Sequence, residues 1–191
     1  MSAADPTPHT VPMVTAPQVL EALAAGQRVR IVDLRTPKEF AEDHLPGAIN
    51  LPIFDNVERV IIGTLYKRES PDRAFEVGRE AVLERIDSLF AEIAAFAGWD
   101  TTEVDLRERV RAMTDGGLDK LEETLGTERV ERFEDDLVVL HCWRGGLRSR
   151  SVVALLHHLG FDRAVCLHRG YTAYRKQVLR ELEEFEAPET F

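Results

Sequence analysis

Residues 137–160, LVVLHCWRGGLRSRSVVALLHHLG, place a thiol where a thiolate is favoured. The apolar run 137–141 predicts a buried strand. Cys142 follows it, then Trp143, Arg144, the Gly145–Gly146 pair and Leu147, with Arg148 and Ser149 opening a helix that ends at Gly160. A cysteine in such a loop meets inward-pointing backbone N–H groups and the helix dipole, worth about half a positive charge. Both lower the Cys142 pKa, from ~8.5 to roughly 4–7. Gly145 and Gly146 permit positive φ and a close approach of backbone to a bound group. Arg148 can fork two N–H bonds onto an oxyanion, and Arg144 can do the same from within the loop. Ser149 can cap the helix or donate to the sulfur. Cys142 is thus the candidate nucleophile, and Arg144, Gly145, Gly146, Leu147, Arg148 and Ser149 are the candidate anion cradle.

Bland roles compete at each position. An inert core thiol is the common fate of a cysteine. It is the expectation for Cys166, mid-strand between Val165 and Leu167. At Cys142 the Gly-Gly pair and Arg148 weigh against it. His141 reads as a strand-end histidine with a satisfied hydrogen bond, not a general base. His157 and His158 suit the negative end of a helix dipole. Trp143 either packs or covers the pocket.

These residues need a frame. Helices are expected over 15–23, with Thr15 as N-cap and Pro17 in the first turn, and over 37–42, 56–68, 73–97, 149–159 and 171–186. Strands are expected over 30–34, 48–51, 137–141 and 164–168. Alternation of strand and helix predicts an α/β fold with a central, mainly parallel sheet flanked by helices. Residues 13–186 form one expected domain, 1–12 a disordered lead-in and 187–191 a tail. Residues from about 70 to 134, highly charged and helical in period, read as a helical insertion.

Composition narrows the function classes. The 191 residues are 44% hydrophobic and 30% charged, a globular balance that needs no disulfide or metal staple. Two cysteines, not at Cys-x-x-Cys spacing, exclude a disulfide scaffold and a Cys-rich zinc site. The N-terminus has neither a basic nor an apolar signal segment, and no apolar run approaches the roughly 18 residues of a membrane span, so a cytoplasmic protein with no membrane partner is expected. No Gly-x-x-x-x-Gly-Lys-Ser/Thr phosphate loop occurs. The net charge of -10 argues against nonspecific nucleic-acid binding. Leu137–Arg180 nevertheless holds eight basic residues and one acid, Asp162, a local balance of +7. Solvated helix faces or an anionic substrate both account for it.

Three stretches resemble the rhodanese superfamily: DLRTPKEFAEDHLPGAINLP (33–52), the loop CWRGGLRS (142–149) and LHRGYTAYRK (167–176). The block 50–78, with Asn56, Glu58, Arg59, Gly63, Thr64, Tyr66 and Lys67, is similar to the rhodanese domain of tRNA 2-selenouridine synthases. The resemblance covers roughly 30–78 and 137–180 and is weak over about 85–135. It implies a rhodanese-like fold, Cys142 as carrier of sulfur or selenium, and the 144–149 cradle. It also implies C2 of the tRNA wobble uridine as target and selenophosphate or a persulfide as donor co-substrate, with no bound cofactor. That family carries a second domain with a phosphate-binding loop. The expected partners are therefore tRNA and a separate P-loop protein.

Two other functions remain open. His-Cys-x-x-Gly-x-x-Arg-Ser (141–149) also matches the cysteine-phosphatase signature, and five residues between Cys142 and Arg148 suit a tetrahedral phosphate. A phosphatase or arsenate reductase of rhodanese fold would want an acid, with Asp33, Asp43 and Asp55 as candidates. Asp33 is more naturally the partner of Arg35. Alternatively the chain is a docking module whose loop only binds an anion, with the acidic insert 85–135 as its partner surface.

Overall fold

Helix starts are written into the side chains. Thr15, Thr36 and Asp55 each accept an N–H from the third residue of the helix that follows, and Gln18, Glu39 and Glu58 reach back to the cap. Ser70 and Asp105 cap two further helices. Each such cap is worth about 1 kcal/mol and fixes where the chain turns.

A computed structural model describes residues 9–101, 103–134 and 136–185. In chain order the elements are β1 (His9–Val14), α1 (Ala16–Ala24), β2 (Val29–Asp33), α2 (Pro37–Glu42), β3 (Ile49–Asn50), α3 (Asn56–Arg68) and α4 (Pro71–Ala97). There follow α5 (Leu106–Thr114), α6 (Gly117–Thr124), β4 (Leu125–Arg129), β5 (Leu137–His141), α7 (Leu147–His158), β6 (Ala164–Leu167) and α8 (Gly170–Glu184). The sheet order is β3-β2-β5-β6-β1-β4, and every pairing is parallel. All strands therefore end on one edge, where α/β sheets bind their ligands.

Helices cover both faces. On β5, Leu137 and Val139 pack with α1 and α8, while Val138 and Leu140 pack with α4 and α7. On β6, Val165 and Leu167 face the first side and Ala164 and Cys166 the second. Such double burial explains why these strands read as unbroken apolar runs.

Two boundaries differ from expectation. Residues 9–12, expected in a disordered lead-in, begin β1, which lies between β6 and β4. Residues 125–129, expected inside a helical insertion, form the edge strand β4. The insertion is helical over α4, α5 and α6 and then rejoins the sheet. Residues 1–8 of the lead-in and the tail 187–191 lie outside the described residues. No described helix is long and apolar enough to cross a membrane.

Candidate active site

The loop after β5 is held by backbone. Gly145 has φ +60, and a Cβ there would lie 2.6 Å from the Leu167 carbonyl oxygen and 2.8 Å from the Arg169 nitrogen. Gly170 has φ +56, and its Cβ would lie 2.3 Å from the Cys142 carbonyl oxygen. Two glycines thus let the loop and the turn before α8 press main chain against main chain. The first α8 amides tie the loop down, Tyr171 N–H to the Cys142 carbonyl at 3.0 Å and Thr172 N–H to the Trp143 carbonyl at 3.1 Å. Gly146 differs from its expected role: its φ is -88, it is the N-cap of α7, and open space surrounds its Cβ position.

The thiol sits at the α7 N-terminus, 2% exposed. Burial opposes the thiolate, but the Arg148 charge, the Ser149 hydroxyl and the backbone N–H groups of Ser149 and Gly146 outweigh it. The Cys142 pKa is lowered from its ordinary value. The Ser149 hydroxyl lies 3.4 Å from the sulfur and also bonds the Gly146 carbonyl at 3.4 Å. Ser149 is therefore the sulfur's partner and not the helix cap. Cys166 is fully buried, and that burial pushes its thiol far up, as a core cysteine should be.

Beneath the loop lies a buried ion pair. Arg35 donates to both Asp33 carboxylate oxygens at 2.6–3.0 Å and to the Asp43 carbonyl at 2.7 Å, with both side chains at most 1% exposed. Its guanidinium lies 3.8 Å from the Tyr171 ring centre and 5.7 Å from that of Trp143. Removing one partner of such a pair costs about 3–5 kcal/mol, because a buried charge is left alone. His141 Nδ1 is 3.4 Å from the Cys142 carbonyl, and Nε2, 3.7 Å from Asp33, has no hydrogen bond. Burial pushes the His141 pKa down to about 4, so the ring is neutral at pH 7, and its expected satisfaction is only half met.

The thiol opens on a cavity of about 640 Å³. Cys142, Arg144, Gly146, Leu147 and Arg148 line it, whereas Gly145 packs on the turn before α8 and Ser149 on the sulfur. Arg148 Nη1 is buried there without a hydrogen-bond partner. The opposite wall comes from α3 and α4, with Arg59, Tyr66, Lys67 and Arg79, and from the apolar side chains of α5 and α6, Val110, Met113, Leu118 and Leu121. The Nε atoms of Arg59 and Arg79 are also buried without partners. An apolar interior with unbonded guanidinium N–H groups suits a ligand with an apolar body and an anionic end. The three candidate acids are committed elsewhere. Asp33 holds Arg35, Asp43 accepts the Tyr171 hydroxyl, and Asp55 caps α3.

Sequence spacing located the loop but not the opposing wall. Arg59, Gly63, Tyr66 and Lys67 stood in the block 50–78 without a role. Gly63 gives Arg59 room, since a Cβ there would lie 2.7 Å from an Arg59 Nη atom. The insertion, read from the sequence only as the partner surface of a docking module, roofs the cavity.

Residues 15–84 match the family model described as Rhodanese-like domain. Over 159 residues the chain is 29% identical to the tRNA 2-selenouridine synthase of Bdellovibrio bacteriovorus, covering 83% of this chain and 33% of that protein. Over 134 residues it is 33% identical to the enzyme of the same name from Cupriavidus necator, covering 70% of this chain and 27% of that one. The chain spans about a third of the length of these curated relatives. Among solved structures, the N-terminal domain of a Clostridium difficile 630 protein named as ATP/GTP-binding superposes with a TM-score of 0.61. It is 29% identical, and the match covers 87% of this chain and 98% of that one.

Proposed function

We propose that this chain, a member of the rhodanese superfamily, transfers sulfur or selenium through Cys142. One observation carries the proposal: a thiol of lowered pKa at a helix N-terminus, facing a cavity into which the buried Arg148 Nη1 brings an unbonded N–H. The Cys142 thiolate attacks the outer sulfur of a sulfane donor such as thiosulfate or a persulfide, or the outer selenium of a perselenide. A bond forms between the Cys142 sulfur and that atom. The donor's own bond to it breaks, and its electron pair leaves on the donor's anionic remainder. Arg148 and Arg144 hold that remainder, and Ser149 supports the sulfur's charge. The loaded chalcogen then passes to an acceptor.

The names of the sequence relatives support a finer version. In it the acceptor is the tRNA wobble uridine, the conversion is 2-thiouridine to 2-selenouridine, and the compartment is the cytoplasm. The name of the structural neighbour, an ATP/GTP-binding protein, supports a nucleotide-binding partner, which the family resemblance makes a P-loop protein.

The test is peptide mass mapping of Cys142 after separate incubation with selenophosphate, thiosulfate and an aryl phosphate under non-reducing conditions. A selenium or sulfur adduct on Cys142, absent from Cys142→Ser, is the expected result. A phosphoryl adduct with phosphate release would make the chain a cysteine phosphatase.

A further inference from the structure

The cations near the sheet's C-terminal edge fall into two sets, and the transfer chemistry uses one. Arg144 and Arg148 face the Cys142 cavity. Arg175, Lys176 and Arg180 stand along α8 on a separate open groove of about 420 Å³. All three are exposed; Arg175 bonds the Tyr171 hydroxyl that Asp43 also holds, and no ion pair among the described residues engages Lys176 or Arg180. The chain has 34 acids for 24 Lys and Arg. Two exposed cations one helical turn apart and outside any ion pair, Lys176 and Arg180, attract a polyanion. Glu183 bounds the groove, and the far end of α8 is acidic.

Trp143 joins the two spaces, since it lines both the groove and the Cys142 cavity. Its ring is braced by Tyr171 at 5.3 Å between centres and by the Arg35 guanidinium at 5.7 Å. A half-buried indole in such a place is a stacking platform for a base. An acidic peptide would use the cations but leave the indole idle.

We propose that the α8 groove docks a single-stranded RNA loop. Lys176 and Arg180 hold backbone phosphates, and Trp143 stacks a base at the mouth of the Cys142 cavity, which is roomy enough for a nucleoside. The inference rests on the transferase reading for its purpose, but its geometry is separate from the thiol.

Binding of the whole chain to a fluorescent stem-loop RNA with 2-thiouridine in the loop tests it, by anisotropy across a salt series. Lys176→Glu with Arg180→Glu is expected to weaken binding at least about ten-fold and to flatten the salt dependence by about 1.4, two contacts at about 0.7 each. Trp143→Ala is expected to weaken it roughly five-fold or more, with Trp143→Phe restoring most of the loss. Arg163→Gln, at the opposite edge of the sheet, leaves binding unchanged. Absent binding by the unaltered chain, or the same affinity within two-fold in the Lys176/Arg180 or Trp143→Ala variant, overturns the proposal. Chalcogen loading of Cys142 is measured on the same samples by mass. Normal loading with lost RNA binding in the charge variant supports the groove. No loading in the unaltered chain defeats the transferase reading and leaves the RNA result to decide the groove alone.

Discussion

Apart from the buried Arg35–Asp33 pair, the arginines at the two edges of the sheet are held in opposite ways. At the N-terminal edge, Asp136 gathers Arg28, Arg30 and Arg163 around one carboxylate. At the C-terminal edge, Arg148 has a buried N–H with no partner, and no ion pair among the described residues engages Arg144. The residue type is the same and so is the sheet. An arginine met by a carboxylate staples loops. One kept without it is reserved for an anion from outside.

The largest expected effect comes from removing the thiol. Cys142→Ser abolishes chalcogen loading, read by peptide mass, and shifts the thermal midpoint by less than about 4 °C. Any adduct surviving on residue 142 would end the distinction between the edges. Next in size, Arg148→Ala weakens anion binding by about 1.5–3 kcal/mol, the value of a hydrogen bond to a charged group. It also raises the pH midpoint of Cys142 alkylation, because the charge that favours the thiolate is gone.

A smaller effect divides the Gly-Gly pair. Gly145→Ala is expected to cost about 1–2 kcal/mol for left-handed backbone alone, with a further loss from the clash against Leu167. Gly146→Ala costs less, under about 1 kcal/mol by calorimetry, the N-cap preference for glycine over alanine, since nothing lies within 4 Å of its Cβ position.

The smallest effect is expected at the other edge. Asp136→Asn lowers the thermal midpoint at pH 7 and leaves the Cys142 alkylation rate unaltered. Desolvation opposes the Asp136 carboxylate, but Arg30, Arg163 and Arg28 outweigh that and hold its pKa below the ordinary carboxylate value. A carboxylate with a lowered folded pKa stabilises above its unfolded pKa and loses that contribution as pH falls through the folded value. The gap between variant and unaltered protein therefore closes below about pH 4, which a pH series of melting curves would record.

How much of this was legible depended on how local each signal is. β5, the loop and α7 could be read because a doubly buried strand is a continuous apolar run and a Gly-Gly pair marks a turn. β1 escaped because Pro12 and the polar His9 and Thr10 break its pattern. β4 escaped because LGTER buries only Leu125. Gly170 and the Arg59 wall escaped for a different reason. Their roles exist only across contacts between segments far apart in sequence, which no periodicity encodes. The same holds for Gly146, which shares a dipeptide with Gly145 but none of its strain.

Cys166 gives the molecule an internal clock. Its thiol is sealed under α7 with 0% exposure, while Cys142 opens on a cavity. A thiol reagent added to folded protein counts one sulfur quickly. The second is counted only when the chain opens far enough to bare β6, so the slow phase of labelling times global opening without any added probe.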